Sequence, residues 1–385
     1  MNFVETAEQQ ALRSAVRELA GRYGQDYFLS RARAGEHLTE LWRDAGKAGF
    51  LGVNLPERFG GGGAGIYELA LVLEEFAAAG CPLLMMVVSP AICGTILSRF
   101  GTEAQQQDWL PSLSDGSKIM AFGITEPDAG SNSHKITTTA RRDSGDWLLS
   151  GQKVFISGVD QADAVLIVGR TEDARTGRLS PALFMVPRDA PGFSWNPIPM
   201  DLVTPDRQFT LFLDDVRLPS DALVGAEDAA LAQLFAGLNP ERVMAAAIAI
   251  GTGRFALTKA AGYVKERSVW GTPIGAHQGL AHPLAQCKIE LELAKLMMQK
   301  AASLYDSGDD GAAGEAANMA KYAAAEASVR AVDQAVQSHG GNGLASEYGL
   351  GTLLATSRIG RIAPVSREMI LNFVAQHSLG LPKSY

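Results

Sequence analysis

Residues 121–132 read AFGITEPDAGSN, residues 151–157 read GQKVFIS, and residues 266–274 read ERSVWGTPI. Pro127, Gly130 and their short polar neighbours demand a turn, and Ile119–Ile124 before them is β-prone. Gly151 opens the second stretch, which continues as a strand. The third closes a long helical run at Gly271. Taken singly, these are a loop leaving a strand, a core strand with Lys153 solvated, and a helix end.

The surroundings divide the chain into three zones. Residues 3–115 read as helices. Ala11–Tyr23 and Leu38–Ala48 repeat apolar residues near the 3.6 period, and Ile66–Ala79 is rich in helix formers. Gly60–Gly63, Gly80 with Pro82, and Gly101 break them; the four-glycine run lacks a following Lys-Ser/Thr pair, so it is a turn rather than a P-loop. From 119 to 220 come short β-prone runs: Trp147–Ser150, Lys153–Ile156, Ala164–Val168, Leu183–Val186 and Phe209–Leu213. Turn clusters at Asp143–Asp146, Arg175–Arg178 and Arg188–Gly192 separate them. No helical pattern lies between these strands, which points to an antiparallel barrel or sandwich, not a parallel Rossmann sheet. From 228 onward Ala-rich helices return: Glu241–Arg267, Leu284–Tyr305, Ala312–His339 and Ser346–Leu379, the makings of a four-helix bundle. Pro240 suits a first helical position with Asn239 as its cap. The expectation is an α+β protein: an α-helical N-terminal domain over 1–118, an antiparallel β middle domain over 119–227, and a C-terminal four-helix bundle over 228–385.

At 46% hydrophobic and 20% charged, the 385-residue chain has an ordinary soluble composition. Its net charge of −8 argues against nucleic acid as a partner. Glu5, Glu8, Arg13 and Arg17 interrupt any signal-peptide run, and the apolar stretches Leu83–Val88 and Val243–Ile250 are too short to cross a membrane. Cys81, Cys93 and Cys287 lack CxxC spacing and read as free thiols in a cytoplasmic protein. The six histidines form no ligand pair, so no metal is expected.

In this order, the three stretches together with AVQSHGGNG at 335–343 resemble the acyl-CoA dehydrogenase family of flavoenzymes. LPERFGGGG from 55 and DDVRLPSDALVG from 214 add weaker matches. The resemblance implies FAD as cofactor. It sets Phe122, Ile124 and Thr125 against the flavin ring, and Ser131 near the pyrophosphate and the bound acyl-CoA. Phe155 would pack on the ring and Ser157 would hydrogen-bond N5, where the hydride arrives. Arg267, Trp270 and Gln278 would bind the FAD of a neighbouring subunit, with Gln337 and Gly341 in the second dinucleotide stretch. A homotetramer, or at least a dimer, follows, with an electron-transfer flavoprotein as the electron acceptor.

One departure stands out. The family's usual Glu-Gly-Thr segment aligns with Ile362-Ala363-Pro364-Val365-Ser366. Pro364 is no base, and it has no N–H for the thioester oxygen. A minority of the family, isovaleryl-CoA dehydrogenase among them, carries the glutamate on an earlier helix in a Leu-x-x-Glu-Arg context. Here GLNPERVMAAA at 237–247 matches, which makes Glu241 the expected base and Arg242 a neighbouring substrate-binding residue. In a first helical turn the macrodipole would favour the Glu241 anion. Glu368 and Glu347 are rival carboxylates. The function implied is FAD-dependent α,β-dehydrogenation of an acyl-CoA. The alternatives are a flavin oxidase acting on acyl-CoA or nitroalkanes, and a non-catalytic flavin-bearing binding module.

Overall fold

The computed structural model describes residues 4–172, 177, 179–227 and 230–383; of the expected turn at Arg175–Arg178, only Gly177 is among them. The N-terminal part is helical: α1 (Ala7–Gly21), α2 (Gly24–Ala34), α3 (Thr39–Lys47) and α4 (Ile66–Ala78), then α5 (Leu84–Met86), which passes through a π-helical stretch, Val87–Gly94, into α6 (Thr95–Phe100), and α7 (Glu103–Asp115). Thr6 and Thr102 start α1 and α7 with reciprocal capping boxes to Gln9 and Gln105. The turn inside 84–100 widens around Pro90, which cannot donate to the preceding turn; Asn54 Nδ2 bonds the Pro90 carbonyl at 3.3 Å.

Strands β1 (Met120–Gly123), β2 (Thr139–Asp143), β3 (Asp146–Ser157), β4 (Ala164–Glu172), β5 (Leu179–Pro187), β6 (Phe193–Ile198), β7 (Gln208–Leu218) and β8 (Leu223–Val224) form one sheet. Its order is β6-β7-β3-β2-β4-β5-β8, with β1 also on β4. The domain is mainly antiparallel, as expected, but the sheet is mixed: β1 and β2 both run parallel to β4. The reason is the long excursion of 124–138, which carries the chain over the sheet so that β2 begins beside β4 in the direction of β1.

That excursion is fastened by a buried ion pair. Lys153, expected in solvent, is completely buried, with Nζ 2.8 Å from Glu126 Oε1 and 3.1 Å from the Ile124 carbonyl. Glu126 also accepts from the backbone N–H of Thr138 at 2.9 Å and from the hydroxyls of Thr137 and Thr138 at 2.8 and 2.6 Å. Burial alone would raise the Glu126 carboxyl, but the Lys153 and threonine donors overcome it and hold it down at about 2. Burial acts on Lys153 in the opposite sense and pulls it down to about 8 despite Glu126. The short, multiply bonded contact argues that both groups are ionised at neutral pH.

The C-terminal part comprises α8 (Ala230–Glu266), a hairpin of β9 (Ser268–Val269) and β10 (Thr272–Pro273), α9 (Gln278–Asp306), α10 (Asp310–His339), α11 (Gly351–Ile362) and α12 (Arg367–Phe373). Two expectations are corrected. The run Ser346–Leu379 is not one helix, because it breaks between Ile362 and Arg367 around Pro364. Pro240 does not start a helix but lies inside α8. A proline there leaves the carbonyl four residues earlier without its donor. The Tyr305 hydroxyl from α9 supplies one, donating to the Ala236 carbonyl at 2.7 Å. Asn239 is accordingly no cap; it is buried and donates to the Asp310 carbonyl at 3.2 Å.

By length and composition α8 could cross a bilayer, which the short run Val243–Ile250 did not suggest; half of its most apolar window is nonetheless buried against the rest of the fold. Gly251 lets α8 approach α4 closely, since a Cβ there would lie 2.4 Å from the Glu74 carbonyl oxygen. Arg13 on α1 meets Glu74 and Glu75 at 2.7 Å each, and Arg254 on α8 reaches the same two carboxylates, locking α1, α4 and α8 together.

Two outcomes follow. Glu126→Gln strands the buried Lys153 ammonium and should cost about 3–5 kcal/mol at neutral pH, read from urea midpoints. Because the carboxyl is depressed in the folded state, its stabilisation is present above the unfolded range near 4.5 and fades as pH falls towards 2; acid titration of stability should therefore be shallower in the variant. Tyr305→Phe leaves the Ala236 carbonyl unpaired and should cost about 1–3 kcal/mol, with hydrogen exchange rising locally around Pro240.

Candidate active site

The Glu126–Lys153 pair draws the first two diagnostic stretches together. Val154 N–H donates to the Thr125 carbonyl at 2.9 Å, so the 124–126 segment lies along β3. Between Lys153 and Ile156 the pairing with β7 slips by one residue, a β-bulge. Within it Phe155 takes φ 57°, a left-handed conformation costly for a side chain of its size, and stands 56% exposed. Ile124 and Thr125 are half-buried beside it. Ser157 is half-buried two residues on, its Oγ 3.1 Å from Gln208 Oε1 on β7. Gln208 is a neighbour that the sequence motifs did not single out. Phe122 departs from expectation: its side chain is buried in the cluster that holds Ile92, Leu166 and Val168. Apolar burial claims it, and only its backbone can face a ligand. Ser131 is exposed on the turn beyond.

A second group gathers at one end of the helical bundle. Tyr263, near the end of α8, stacks on His339, the last residue of α10, with centroids 4.2 Å apart. Asn342 Nδ2 bonds Tyr263 Oη at 3.1 Å. Arg267 and Trp270 follow α8, Gln278 opens α9, Gln337 lies in the last turn of α10 and Gly341 just beyond it; all five are exposed. Trp270, on the β9–β10 turn, is 90% exposed and also at positive φ, 52°. A Cβ at Gly341 would meet no atom within 4 Å. A strained, outward-facing tryptophan with an exposed guanidinium and an open glycine corner fits a ligand that pairs a flat ring with an anionic tail.

The third group surrounds Glu241. Since α8 runs unbroken through Pro240, Glu241 lies well inside the helix, and the expected macrodipole support is absent. It is half-buried and accepts no hydrogen bond from any described residue. Desolvation raises its carboxyl to about 7, against the opposing charges of Arg242 and Lys321. Arg242 is not placed to meet a substrate. It is buried, with Nη1 on Asn318 at 2.8 Å, Nη2 on Asn239 at 2.9 Å and Nε on the Leu238 carbonyl at 3.0 Å. The two rivals, Glu347 and Glu368, are both exposed. Lys321 on α10 went unremarked in the sequence; it is buried and bonds the Val365 carbonyl. Half-buried, unpaired and raised towards neutrality, Glu241 has what a general base needs.

Comparison with known proteins identifies the family. Three family models match in series: the acyl-CoA dehydrogenase N-terminal domain over residues 6–117, the middle domain over 121–216 and the C-terminal domain over 231–379. The Mycobacterium tuberculosis protein acyl-CoA dehydrogenase FadE12 is 71% identical over 384 residues, covering 100% of this chain and 99% of that one. Among solved structures, butyryl-CoA dehydrogenase from Megasphaera elsdenii superposes with a TM-score of 0.92 at 27% identity, over 98% of this chain and 100% of that one. The FAD complex of PigA does so with 0.92 at 27% identity, over 99% and 100%. With all three models matched in order and a relative this similar along its whole length, the chain belongs to the acyl-CoA dehydrogenase family.

Proposed function

We propose that the chain dehydrogenates an acyl-CoA thioester to the trans-2-enoyl-CoA, with Glu241 as the base that removes the α-proton. Family membership carries the reaction class and FAD as cofactor. The observation that carries the base is the Glu241 carboxylate, free of partners and raised to about 7. When bound, FAD accepts the β-hydride at N5. The chain's own residues do the rest. Phe155, on its bulge, offers a ring face for stacking, and Ile124 and Thr125 flank it. Ser157, whose Oγ accepts from Gln208 Nε2 at 3.0 Å and so keeps its proton free, is the donor for N5. Ser131 lies on the route of the CoA arm.

This places the base as in isovaleryl-CoA dehydrogenase, without implying that substrate. Arg242 acts behind Glu241 as a packed counter-charge. Arg267, Trp270, Gln278, Gln337 and Gly341 serve the FAD of a neighbouring copy, which accounts for a tryptophan left 90% exposed. The assembly proposed is a homotetramer. Ile289, Leu293 and Leu296, exposed along one side of α9 at helical spacing, support an apolar face between copies. An electron-transfer flavoprotein is the proposed acceptor. The three free, buried cysteines accord with a cytoplasmic setting.

An acyl-CoA panel with anaerobic flavin bleaching tests the function: thioesters should bleach the flavin and the matching free acids should not. Equal bleaching by both would overturn it. Glu241→Gln should lower the reduction rate by roughly 10²–10⁴ while retaining FAD. In the wild type the rate should climb as pH rises through about 7, as the base ionises. A carboxyl raised in the folded state loses stabilisation as pH rises towards that value, so Glu241→Gln should be no less stable than wild type at pH 8. Arg267→Ala should release FAD and weaken the oligomer together. A stable monomer of that variant with full FAD would count against a shared site.

A further inference from the structure

Behind Glu241 runs a buried polar seam between α8 and α10. On α8 it holds Asn239 and Arg242; on α10 it holds Asn318 and, less than a turn on, Lys321. Asn239 binds the Asp310 carbonyl and Arg242 binds Asn318, so the two helices are fixed in register there. Lys321 is 1% exposed, and its ammonium donates to a single described partner, the Val365 carbonyl. Val365 lies in the break between α11 and α12, directly after Pro364. Lys321 thus ties the seam to the corner where the chain lacks the glutamate most often found in the family.

A buried ammonium with one neutral acceptor needs a negative charge nearby. Two carboxylates act on Lys321, Glu241 and Glu368, with Arg242 opposing them. Glu368 is exposed on α12. The charged and titratable groups that act on Glu241 or on its counter-charge are Arg242 from its own helix, Lys321 from α10, Cys93 from the π-helical stretch, and Glu368 through Lys321. Arg242 is the stronger of the two positive charges on Glu241 and is fixed within the seam by three hydrogen bonds; Lys321, on the facing helix with one hydrogen bond, adds a second.

We propose that Lys321 is a positioning residue of the active site: its buried ammonium holds the Pro364 corner through the Val365 carbonyl and supplies, from α10, a second counter-charge beside Arg242 that keeps the Glu241 carboxylate ready to take a proton. The inference rests on the reading of Glu241 as base. At 1% exposure Lys321 acts through Glu241 and the corner, not directly on a ligand. It lets a proline corner, which carries no acid of its own, wall the site at a fixed place while the base works from α8.

The test uses the FAD-loaded enzyme and its titration. Lys321→Met keeps the stem and removes the charge. The pH midpoint of flavin reduction should rise by on the order of one unit, and activity should recover at high pH. A readout apart from turnover is the infrared carboxyl band that Glu241→Gln removes; its midpoint should rise by the same amount in Lys321→Met. Lys321→Arg, which keeps the charge, should hold the wild-type midpoint. An unmoved midpoint in FAD-loaded Lys321→Met overturns the inference. If Lys321→Met does not fold, Lys321→Arg decides: a wild-type midpoint with most of the rate supports the role, and an equal loss at every pH leaves Lys321 to packing alone. Glu241→Gln run in parallel separates the two readings. A wild-type rate there would sink the base itself, whereas a slow rate with an unmoved Lys321→Met midpoint sinks only the role of Lys321.

Discussion

Glu126 and Lys153 meet at 2.8 Å where neither side chain reaches water, and much of the site's geometry follows from that contact. It draws a long loop back across the sheet and seats the 124–126 segment along β3. The Val154–Thr125 hydrogen bond lies alongside, where β3 carries an extra residue against β7 and Phe155 is turned outward at positive φ. Two buried charges are expensive to desolvate, so such a pair does more to specify a geometry than to add stability. Here the specified geometry is the ring-facing surface.

The helical side solves a different problem. A carboxylate inside a long helix, such as the proposed base Glu241, must be held in a dry setting without being neutralised by a direct partner. Continuity of α8 through Pro240 depends on the Tyr305 hydroxyl at the orphaned Ala236 carbonyl, and the side chains of Asn239 and Arg242 are consumed by the seam with α10. What remains unbonded at that level is Glu241. Its raised affinity for a proton comes from desolvation by the fold, not from a helix terminus, and it is present before any substrate arrives.

The exposed ends of the bundle complete the design. Trp270 at positive φ, Arg267 and the Gly341 corner are costly or idle in a lone chain. In the proposed assembly, a flat, anionic cofactor shared between copies would give each of them a partner, and the exposed apolar side of α9 would form the face between copies.

The sequence by itself determined the three-part architecture, because helical and two-residue periods are local signals and Gly and Pro mark where they stop. It also singled out Ile124, Thr125, Phe155, Ser157 and Glu241 as candidates, because those stretches are contiguous motifs. Tertiary structure decided the rest. Lys153 looks solvated in GQKVFIS, and only the return of Glu126 from 27 positions away makes it buried. Pro240 reads as a helix start, and only a hydroxyl from α9 lets the helix run through it. Phe122 and Arg242 look available, yet burial against Ile92 and hydrogen bonds to Asn318 remove them. Lys321 carries no local mark at all in an Ala-rich helix. Its importance comes from facing α8 and the Pro364 corner at once, and contacts between segments distant in sequence leave no periodicity to read.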